Sequence, residues 1–325
     1  MKNILLAIAA ILTITTACKN DTTPAVATTK KSVQIPAFNS DNAYANIEKQ
    51  LAFGFRVPGT EEHKACGEWI IATMEGFGAS VIKQDFESNF LGRDEVPSFN
   101  IMAQFNPNKK DRILLGAHWD SRLIAEKDDE RTDQPIPGAD DGGSGVAVLL
   151  EIGRLLSENP IEMGVDMIFF DAEDQGTSDD STGESWAQGA QYWGSNKVPK
   201  GYNAQYGILL DMVGSKGAVF GREEYSYVNA RDVQDKVWTL AKRMGYSDFF
   251  RDDTSGSVMD DHFWVMKNGG IKMIDIINQQ PGDRSSFGVY HHTHDDNMDI
   301  ISKRTLRVVG QVVTAVLYNE SIGVL

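Results

Sequence analysis

Four short segments of this 325-residue chain contain acidic and histidine side chains at spacings that suit metal-dependent chemistry. The apolar run 168–170 ends in the acidic segment 171–174, and further candidates stand at 116–120, 138–145 and 292–297. Adjacent carboxylates repel each other, so a cation is expected between them. Imidazole nitrogen and carboxylate oxygen both ligate zinc. The pattern therefore predicts a zinc-dependent enzyme.

Asp141, Asp174 and His292 form the predicted metal-binding set. Three protein ligands leave a coordination position for water or substrate, as catalytic zinc requires. The alternative for the turn that contains Asp141 is an ordinary acidic turn that caps the next helix. The other three segments favour the metal-binding interpretation.

Glu173 stands beside a predicted ligand and is interpreted as a general base rather than a solvated acid at a strand end. His118 and Asp120 allow two interpretations, which their spacing does not separate. They form either a metal ligand with its orienting carboxylate or a hydrogen-bonded pair buried under the site. His262 follows two acids and is interpreted as a structural histidine.

Aromatic residues near the acidic segments could form the wall of a small apolar pocket, although core packing is the alternative for each of them. The candidates are Trp186, Tyr192, Trp193, Phe287 and Tyr290. The glycine-rich segment 138–145 lacks the lysine of a phosphate-binding loop, and no Gly-x-Ser-x-Gly motif is present. Metal-assisted catalysis is the chemistry that these patterns favour.

The N-terminus resembles a bacterial export signal. A short basic start precedes an apolar run too brief to span a bilayer, and residues 1–18 end at Cys18 in a sequence similar to a lipobox. Residues 19–35 are predicted to be a flexible tether and residues 36–325 a single catalytic domain. If Cys18 is lipidated, Cys66 has no disulfide partner, so the metal must be bound by His, Asp and Glu.

Composition limits the partners of the chain. Forty-six acidic against 31 basic residues give a formal net charge of -15, which argues against nucleic acid or an anionic membrane surface as the main partner. We expect an exported protein, a periplasmic or outer-membrane lipoprotein of a bacterium. Its only membrane contact would be a lipid anchor at Cys18, and it would act as a monomer.

Strands and helices alternate along the chain. The predicted strands cover 79–86, 99–105, 112–116, 165–170, 207–212 and 271–277, and the predicted helices cover 43–51, 61–74, 144–156 and 303–318. Several strands are almost entirely apolar, which is typical of a parallel sheet covered on both faces. The expected fold is an α/β three-layer sandwich with a central mixed, mainly parallel sheet flanked by helices. In such a sheet the candidate residues follow the carboxyl ends of the strands, where ligands bind.

The motifs at 138–141, 170–174, 210–212 and 292–297 together resemble the zinc aminopeptidase clan of the M28 type, from about Arg56 to the C-terminus. That clan contains aminopeptidases with two zinc ions and glutaminyl cyclases with one. Three details are similar to the cyclases: the acid Asp260 before Asp261, the ending 295–297, and Phe287 five residues ahead of His292. Segments 56–60 and 186–193 resemble bacterial cyclases in particular.

This resemblance implies a glutaminyl-peptide cyclotransferase that binds one zinc ion and acts on peptides or proteins with an N-terminal glutamine. It implies a catalytic group of Glu173, Asp211 and Asp260, and a substrate pocket formed by Trp186, Trp193, Phe287 and His291.

Two positions depart from the animal cyclases, where a tryptophan stands in place of His291 and a glutamate in place of Asp174. Two alternatives remain open. One is a two-zinc aminopeptidase, in which His118 and Asp211 would complete a second site bridged by Asp141. The other is a non-catalytic lipoprotein that binds peptides.

Overall fold

A computed structural model describes residues 32–279 and 287–325 of the chain. The predicted export signal, Cys18 and most of the predicted tether lie outside the described residues. No helix within the described ranges is long and apolar enough to cross a membrane.

The described residues form eight strands and eight α-helices. The strands are β1 (Ser80–Phe90), β2 (Arg93–Phe105), β3 (Arg112–His118), β4 (Gly164–Phe170), β5 (Tyr206–Asp211), β6 (Phe220–Arg222), β7 (Phe250–Thr254) and β8 (Met273–Ile277). The helices are α1 (Ser40–Leu51), α2 (Glu61–Gly76), α3 (Gly143–Glu158), α4 (Gln188–Ser195), α5 (Glu224–Asn229), α6 (Arg231–Arg243), α7 (Asp261–Gly269) and α8 (Lys303–Ser321).

The main sheet of the described chain has the strand order β1-β2-β4-β3-β5-β8. β1 pairs antiparallel with β2, and β2 pairs antiparallel with β4. The pairs β3–β4, β3–β5 and β5–β8 are parallel. Every residue of β3, β4, β5 and β8 is buried, as expected of strands covered on both faces. The predicted mixed, mainly parallel sheet is confirmed.

Helices cover both faces of this sheet. One face packs against α2, α3 and α6, and α1 and α8 pack against α3 in the same large apolar core. The other face packs against α4 and α7, with Trp193, Tyr202 and Trp264 in a smaller core. The predicted three-layer α/β sandwich is therefore confirmed.

The sequence analysis predicted no element between residues 213 and 270, where the structure has β6, α5, α6, β7 and α7. β6 has three residues and α5 has six, which is too short for a periodic pattern. β7 has the sequence Phe-Arg-Asp-Asp-Thr, and all but its first residue are exposed. Pairing with β6 rather than burial makes it a strand.

Candidate metal centre and active site

The candidate residues lie at the carboxyl edge of the parallel strands. His118 is the last residue of β3, and Asp211 is the last residue of β5. β4 ends at Phe170, and the segment 171–174 follows it directly. Because these neighbouring strands run in the same direction, their ends bring the side chains together at one edge.

Three non-glycine residues at this edge have left-handed backbone conformations: Ala172 (φ 53°), Met212 (φ 46°) and His292 (φ 59°). Ala172 precedes Glu173, and Met212 follows Asp211. Such conformations cost roughly 1–3 kcal/mol each and persist where the surrounding structure enforces them, which is common at functional sites. The chain therefore accepts backbone strain at the residues that aim the candidate side chains.

We refer to Asp141, Asp174 and His292 as the outer metal site. His292 Nε2 lies 3.0 Å from Asp174 Oδ1 and 3.8 Å from Asp141 Oδ2. The other ring nitrogen, Nδ1, lies 2.6 Å from Glu126 Oε1. Asp174 Oδ2 is buried and has no hydrogen-bond partner among the described residues. A histidine held by a carboxylate, facing two further carboxylates, fits zinc.

His118 lies on the opposite side of Asp141. Its Nε2 is 3.0 Å from Asp141 Oδ1 and 3.3 Å from Asp211 Oδ1, and it also accepts a hydrogen bond from the Gly142 N–H at 3.0 Å. Its Nδ1 faces Asp120 Oδ1 at 3.4 Å. His118, Asp141 and Asp211 have the spacing of a metal site, and His118 also contacts Asp120. The geometry is therefore compatible with His118 as a metal ligand and with a buried His118–Asp120 pair.

Asp120 positions the loop that carries Glu173 and Asp174. Its carboxylate accepts the backbone N–H groups of Glu173 (3.1 Å) and Asp174 (3.2 Å) and the side-chain amide of Gln175 (2.9 Å). Asp120 is fully buried, and His118 is its partner on the other side. The His118–Asp120 pair therefore links the end of β3 to the loop after β4.

Asp296 plays the same role for the turn at Asp141. It accepts the backbone N–H groups of Asp140 (2.7 Å) and Asp141 (3.1 Å), and Tyr290 donates its hydroxyl hydrogen to Asp140 Oδ2 at 2.6 Å. Tyr290, His292 and Asp296 belong to one segment. The segment that contains His292 therefore also fixes the position of Asp141, which faces His292.

Arg122 is a buried cation beside the site. It donates to Glu126 Oε2 (2.7 Å), to the Asp174 carbonyl (2.7 Å) and to the Gly176 carbonyl (3.0 Å). Its guanidinium also lies 4.7 Å from the centre of the Trp186 ring. Arg122 and Glu126 were missed by the sequence analysis. They stand in the loop between β3 and α3, where only the i,i+4 pairing of opposite charges signals them.

Burial and like charges govern the protonation of the catalytic candidates. Burial, supported by the charge of Asp260, raises the pKa of Glu173 well above its ordinary value. Burial also raises the pKa of Asp211 to about 8. The imidazole of His118, 3.3 Å away, opposes this rise, and the charge of Asp260 adds to it. Burial raises the pKa of Asp260 as well. Three carboxyl groups that resist ionisation together can hold and transfer a proton.

A cavity of about 280 Å³ opens at this edge of the sheet. Its lining includes the outer metal site, the three catalytic candidates and three of the four predicted pocket residues: Asp141, Asp174, His292, Glu173, Asp211, Asp260, Trp186, Phe287 and His291. The Trp186 ring stacks on His292 with centroids 5.9 Å apart. The structure therefore brings nearly all of the predicted residues to one cavity.

Trp193 is the exception, and its assignment to the pocket is corrected. It is fully buried in the smaller core, edge-on to Phe170 and Tyr202, and does not line the cavity. Trp186 precedes α4, whereas Trp193 lies within it. The helix turns Trp193 towards the sheet, which is why one tryptophan faces the cavity and the other the core.

His291 stacks on His292 with ring centroids 3.6 Å apart, and the Phe287 ring lies tilted against it with centroids 4.6 Å apart. Lys127 Nζ lies 2.5 Å from His291 Nδ1, so the amine donates to the neutral ring. Burial, with the charge of His292, lowers the pKa of His291 well below its ordinary value. His291 also has metal-binding spacing with Asp141 and His292.

The model of Peptidase family M28 matches residues 100–317 of the chain. Among solved structures, glutaminyl cyclase from Bacteroides thetaiotaomicron, bound to N-acetylhistamine, is 43% identical with a TM-score of 0.84, covering 88% of this chain and 99% of that one. Glutaminyl cyclase from Porphyromonas gingivalis is 44% identical with a TM-score of 0.84, covering 87% and 99%. A Zn-dependent exopeptidase from Parabacteroides distasonis is 43% identical with a TM-score of 0.85, covering 88% and 100%.

Curated relatives are more distant. Aminopeptidase YwaD of Bacillus subtilis is 29% identical over 66% of this chain, and the match spans only 42% of that protein. Glutaminyl-peptide cyclotransferase of Drosophila melanogaster is 22% identical over 77% of this chain and 73% of that protein. With a family match that includes most of the site, the chain belongs to Peptidase family M28.

Proposed function

We propose that the protein is a glutaminyl-peptide cyclotransferase, which converts the N-terminal glutamine of peptides and proteins to pyroglutamate and releases ammonia. The observation that carries this proposal is that Asp260 lines the same cavity as Glu173 and Asp211. Glutaminyl cyclases more than 40% identical over nearly their whole length support it. No water has to attack in this reaction, because the nucleophile is the amine of the substrate itself.

We propose one zinc ion per chain, bound by Asp141, Asp174 and His292. The distances from His292 Nε2 to the two carboxylates and the unpartnered Asp174 oxygen support such an ion. When bound, zinc would act as a Lewis acid on the side-chain amide oxygen of the substrate. Glu126 and Arg122 would orient the ligands, because Glu126 contacts His292 and Arg122 contacts both Glu126 and Asp174.

Glu173 would transfer the proton that the reaction requires. The α-amine nitrogen of the substrate forms a bond to its own side-chain amide carbon, and the bond from that carbon to the amide nitrogen breaks. Glu173 removes a proton from the attacking amine and returns it to the departing nitrogen, which leaves as ammonia. Asp211 and Asp260 stand beside it in the cavity and would stabilise the protonated form.

The cavity would hold the glutamine in its folded-back conformation. Trp186 and Phe287 supply the aromatic walls, and the attack is intramolecular, so orientation and exclusion of water account for much of the catalysis. Among the described residues, seven carboxyl groups line the cavity, and those that are ionised favour the protonated amine of an arriving peptide.

The decisive experiment incubates the purified protein with glutamine-starting and leucine-starting peptides and follows product mass and ammonia. We expect ammonia from the glutamine peptide without shortening of the chain. The Glu173→Gln variant should lose about 10²–10⁴-fold in rate, because it cannot transfer the proton. Glu184→Gln, at an exposed position outside the cavity lining, is the matched control and should retain activity. Release of free leucine or glutamine would contradict the proposal.

A two-zinc aminopeptidase is the second candidate, and the cluster of His118, Asp141 and Asp211 favours it. Against it, the Gly142 N–H points at His118 Nε2, so a second ion would have to displace that hydrogen bond. This candidate would be established if the wild-type protein released leucine from the leucine-starting peptide and if His118→Ala abolished that release and bound one metal ion fewer.

We also propose that the chain is exported and anchored through a lipid at Cys18, and that it acts as a monomer. Residues 1–18 and the strongly acidic composition support this location. We expect the wild-type protein to incorporate a labelled fatty acid and Cys18→Ser not to incorporate it. Equal labelling of the wild type and Cys18→Ser would contradict the lipid anchor. A single-chain mass in solution would support the monomer.

A further inference from the structure

A lysine lies at the mouth of the acidic cavity. Lys127 belongs to the cavity lining and is also exposed to solvent, so it lies where the cavity opens. Among the described residues of the lining, it is the only lysine or arginine. Neither the proposed zinc site nor the proposed proton transfer uses Lys127, so its position needs another explanation.

Contacts with the histidine segment hold Lys127 in place. Its backbone N–H donates to the His292 carbonyl at 3.4 Å, and its side-chain amine donates to His291 Nδ1 at 2.5 Å. The same amine lies 5.9 Å from the centre of the Phe287 ring. A free lysine side chain samples many rotamers, and ordering it on binding costs free energy. Because Lys127 is already ordered, it can bind a ligand with less of this cost.

Lys127 has hydrogen-bond donors that no protein group uses. Within the described ranges, no carboxylate forms an ion pair with it. An ammonium group has three N–H donors, and His291 accepts one of them. Burial lowers the pKa of Lys127, and the negative charges of Glu126 and Asp141 oppose that fall, which favours the ammonium form. Two donors of a cation therefore remain for a bound molecule.

The carboxyl groups of the lining are already engaged. Glu126 accepts a hydrogen bond from Arg122 at 2.7 Å. Asp180 accepts from the Thr182 N–H (2.8 Å) and hydroxyl (2.6 Å). Its other oxygen accepts the Ser185 N–H at 2.7 Å. The remaining five carboxyl groups of the described lining are the proposed zinc ligands and the proposed catalytic group. Lys127 is therefore the charged group at the mouth with capacity for a new partner.

We propose that Lys127 selects substrates in which an acidic residue directly follows the N-terminal glutamine. This inference rests on the proposed cyclisation, in which the glutamine occupies the cavity beside the outer metal site. The next residue of the peptide then lies at the mouth, where Lys127 is. A glutamate or aspartate side chain there accepts the two remaining N–H donors, whereas a lysine or arginine side chain is repelled.

Three peptides that begin Gln-Glu, Gln-Ala and Gln-Lys and are otherwise identical test this inference. Ammonia release near pH 7 and at low salt gives kcat/KM for each peptide. We expect the Gln-Glu peptide to exceed the Gln-Ala peptide about fivefold, the upper range for a partly exposed ion pair, and the Gln-Lys peptide to be the poorest. The preference should shrink as salt is added, because salt screens exposed charges.

Variants of Lys127 assign the preference to its charge. Lys127→Arg should keep the preference, Lys127→Met should remove it and Lys127→Glu should reverse it. The comparison uses the ratio of kcat/KM values within each variant, so a general loss of activity through a displaced His291 does not affect it. Lys110→Met, at an exposed lysine outside the cavity lining, is the matched control and should keep the wild-type preference.

Equal kcat/KM values of the wild type for the three peptides would overturn this inference and leave the proposed function intact. A higher value for the Gln-Lys peptide would overturn it as well and would point to Asp180 as the dominant charge at the mouth. The same preference in the wild type and Lys127→Met would show that Lys127 is not its source. Ammonia from none of the peptides would overturn the proposed function and this inference with it.

Discussion

At the scale of single residues, the histidine of the outer metal site depends on partners that are not themselves predicted metal ligands. Glu126 holds His292 Nδ1 at 2.6 Å, and Arg122 holds Glu126 at 2.7 Å. Orienting partners of this kind fix the tautomer and the basicity of a ligating imidazole. Glu126 is therefore the residue whose substitution tests the outer site without removing a ligand.

We predict that Glu126→Gln weakens zinc binding about 10–100-fold, because the amide cannot match the charged hydrogen bond to His292. Competition with a coloured chelator measures the affinity. Glu130→Gln, an exposed glutamate four residues away, is the control and should bind zinc like the wild type. Equal affinities of all three proteins would show that Glu126 does not support the site.

The two tryptophans near α4 should give opposite phenotypes. We predict that Trp186→Ala raises KM for glutamine peptides about tenfold, or about 1.4 kcal/mol, because a cavity wall is lost. Trp193→Ala should instead lower the free energy of unfolding by about 3–5 kcal/mol, because it leaves a void in the smaller core. Steady-state kinetics and chemical unfolding distinguish them. A larger KM effect from Trp193→Ala would contradict its position in the core.

At the scale of elements, the site depends on how closely α3 approaches the strands that carry it. α3 begins directly after the Asp141 turn and packs across β3 and β5. A Cβ atom built at Gly145 would lie 2.2 Å from the Leu210 carbonyl oxygen and 2.9 Å from the Ala117 Cβ. Leu210 and Ala117 directly precede Asp211 and His118. The glycine therefore lets the helix approach the strands directly behind two site residues.

We predict that Gly145→Ala destabilises the protein by about 1–3 kcal/mol, because either α3 or the strand backbone must move. Zinc affinity should fall in parallel, since Asp141 moves with the start of α3. Thermal unfolding and zinc titration measure the two effects. Gly76→Ala, at the end of α2 with open space around the added methyl group, is the control. If Gly76→Ala lost as much stability as Gly145→Ala, the close approach of α3 to the strands would not be the cause of the loss.

At the scale of the whole molecule, many of the acidic residues that give the chain its negative net charge are buried around the site rather than exposed. Buried carboxyl groups around the site include Asp120, Asp140, Asp141, Asp174, Asp211, Asp260, Asp261, Asp275 and Asp296. Two fully buried arginines lie nearby: Arg122, and Arg56, which donates to the Trp119, Pro137 and Gly138 carbonyls. Bound cations would relieve this repulsion, so metal binding and folding should be linked.

We predict that a chelator lowers the melting temperature and that added zinc restores it. An ion at 100 times its dissociation constant stabilises the folded state by about 2.7 kcal/mol. His292→Ala should show a smaller shift, because the outer site is lost. Calorimetry with and without chelator measures these shifts. Identical melting temperatures would mean that the fold does not depend on a bound ion.

The sequence by itself determined the fold class and predicted the main site residues. The apolar strands required a sheet covered on both faces, and a parallel sheet aligns the ends of its strands. Asp141, Asp174 and His292 could therefore be placed together from motifs alone. The predicted export signal, the lipid anchor and the zinc count stay predictions.

Only the tertiary structure decided which side chains support the site. Glu126 and His292 are 166 residues apart, and Lys127 and His291 are 164 apart, so no local pattern connects either pair. Trp186 and Trp193 look alike in sequence, but Trp186 lies in the loop before α4 and faces the cavity, whereas Trp193 lies within α4 and packs into the core. Local periodicity encodes which face of an element is buried, whereas contacts between distant loops depend on how the elements pack.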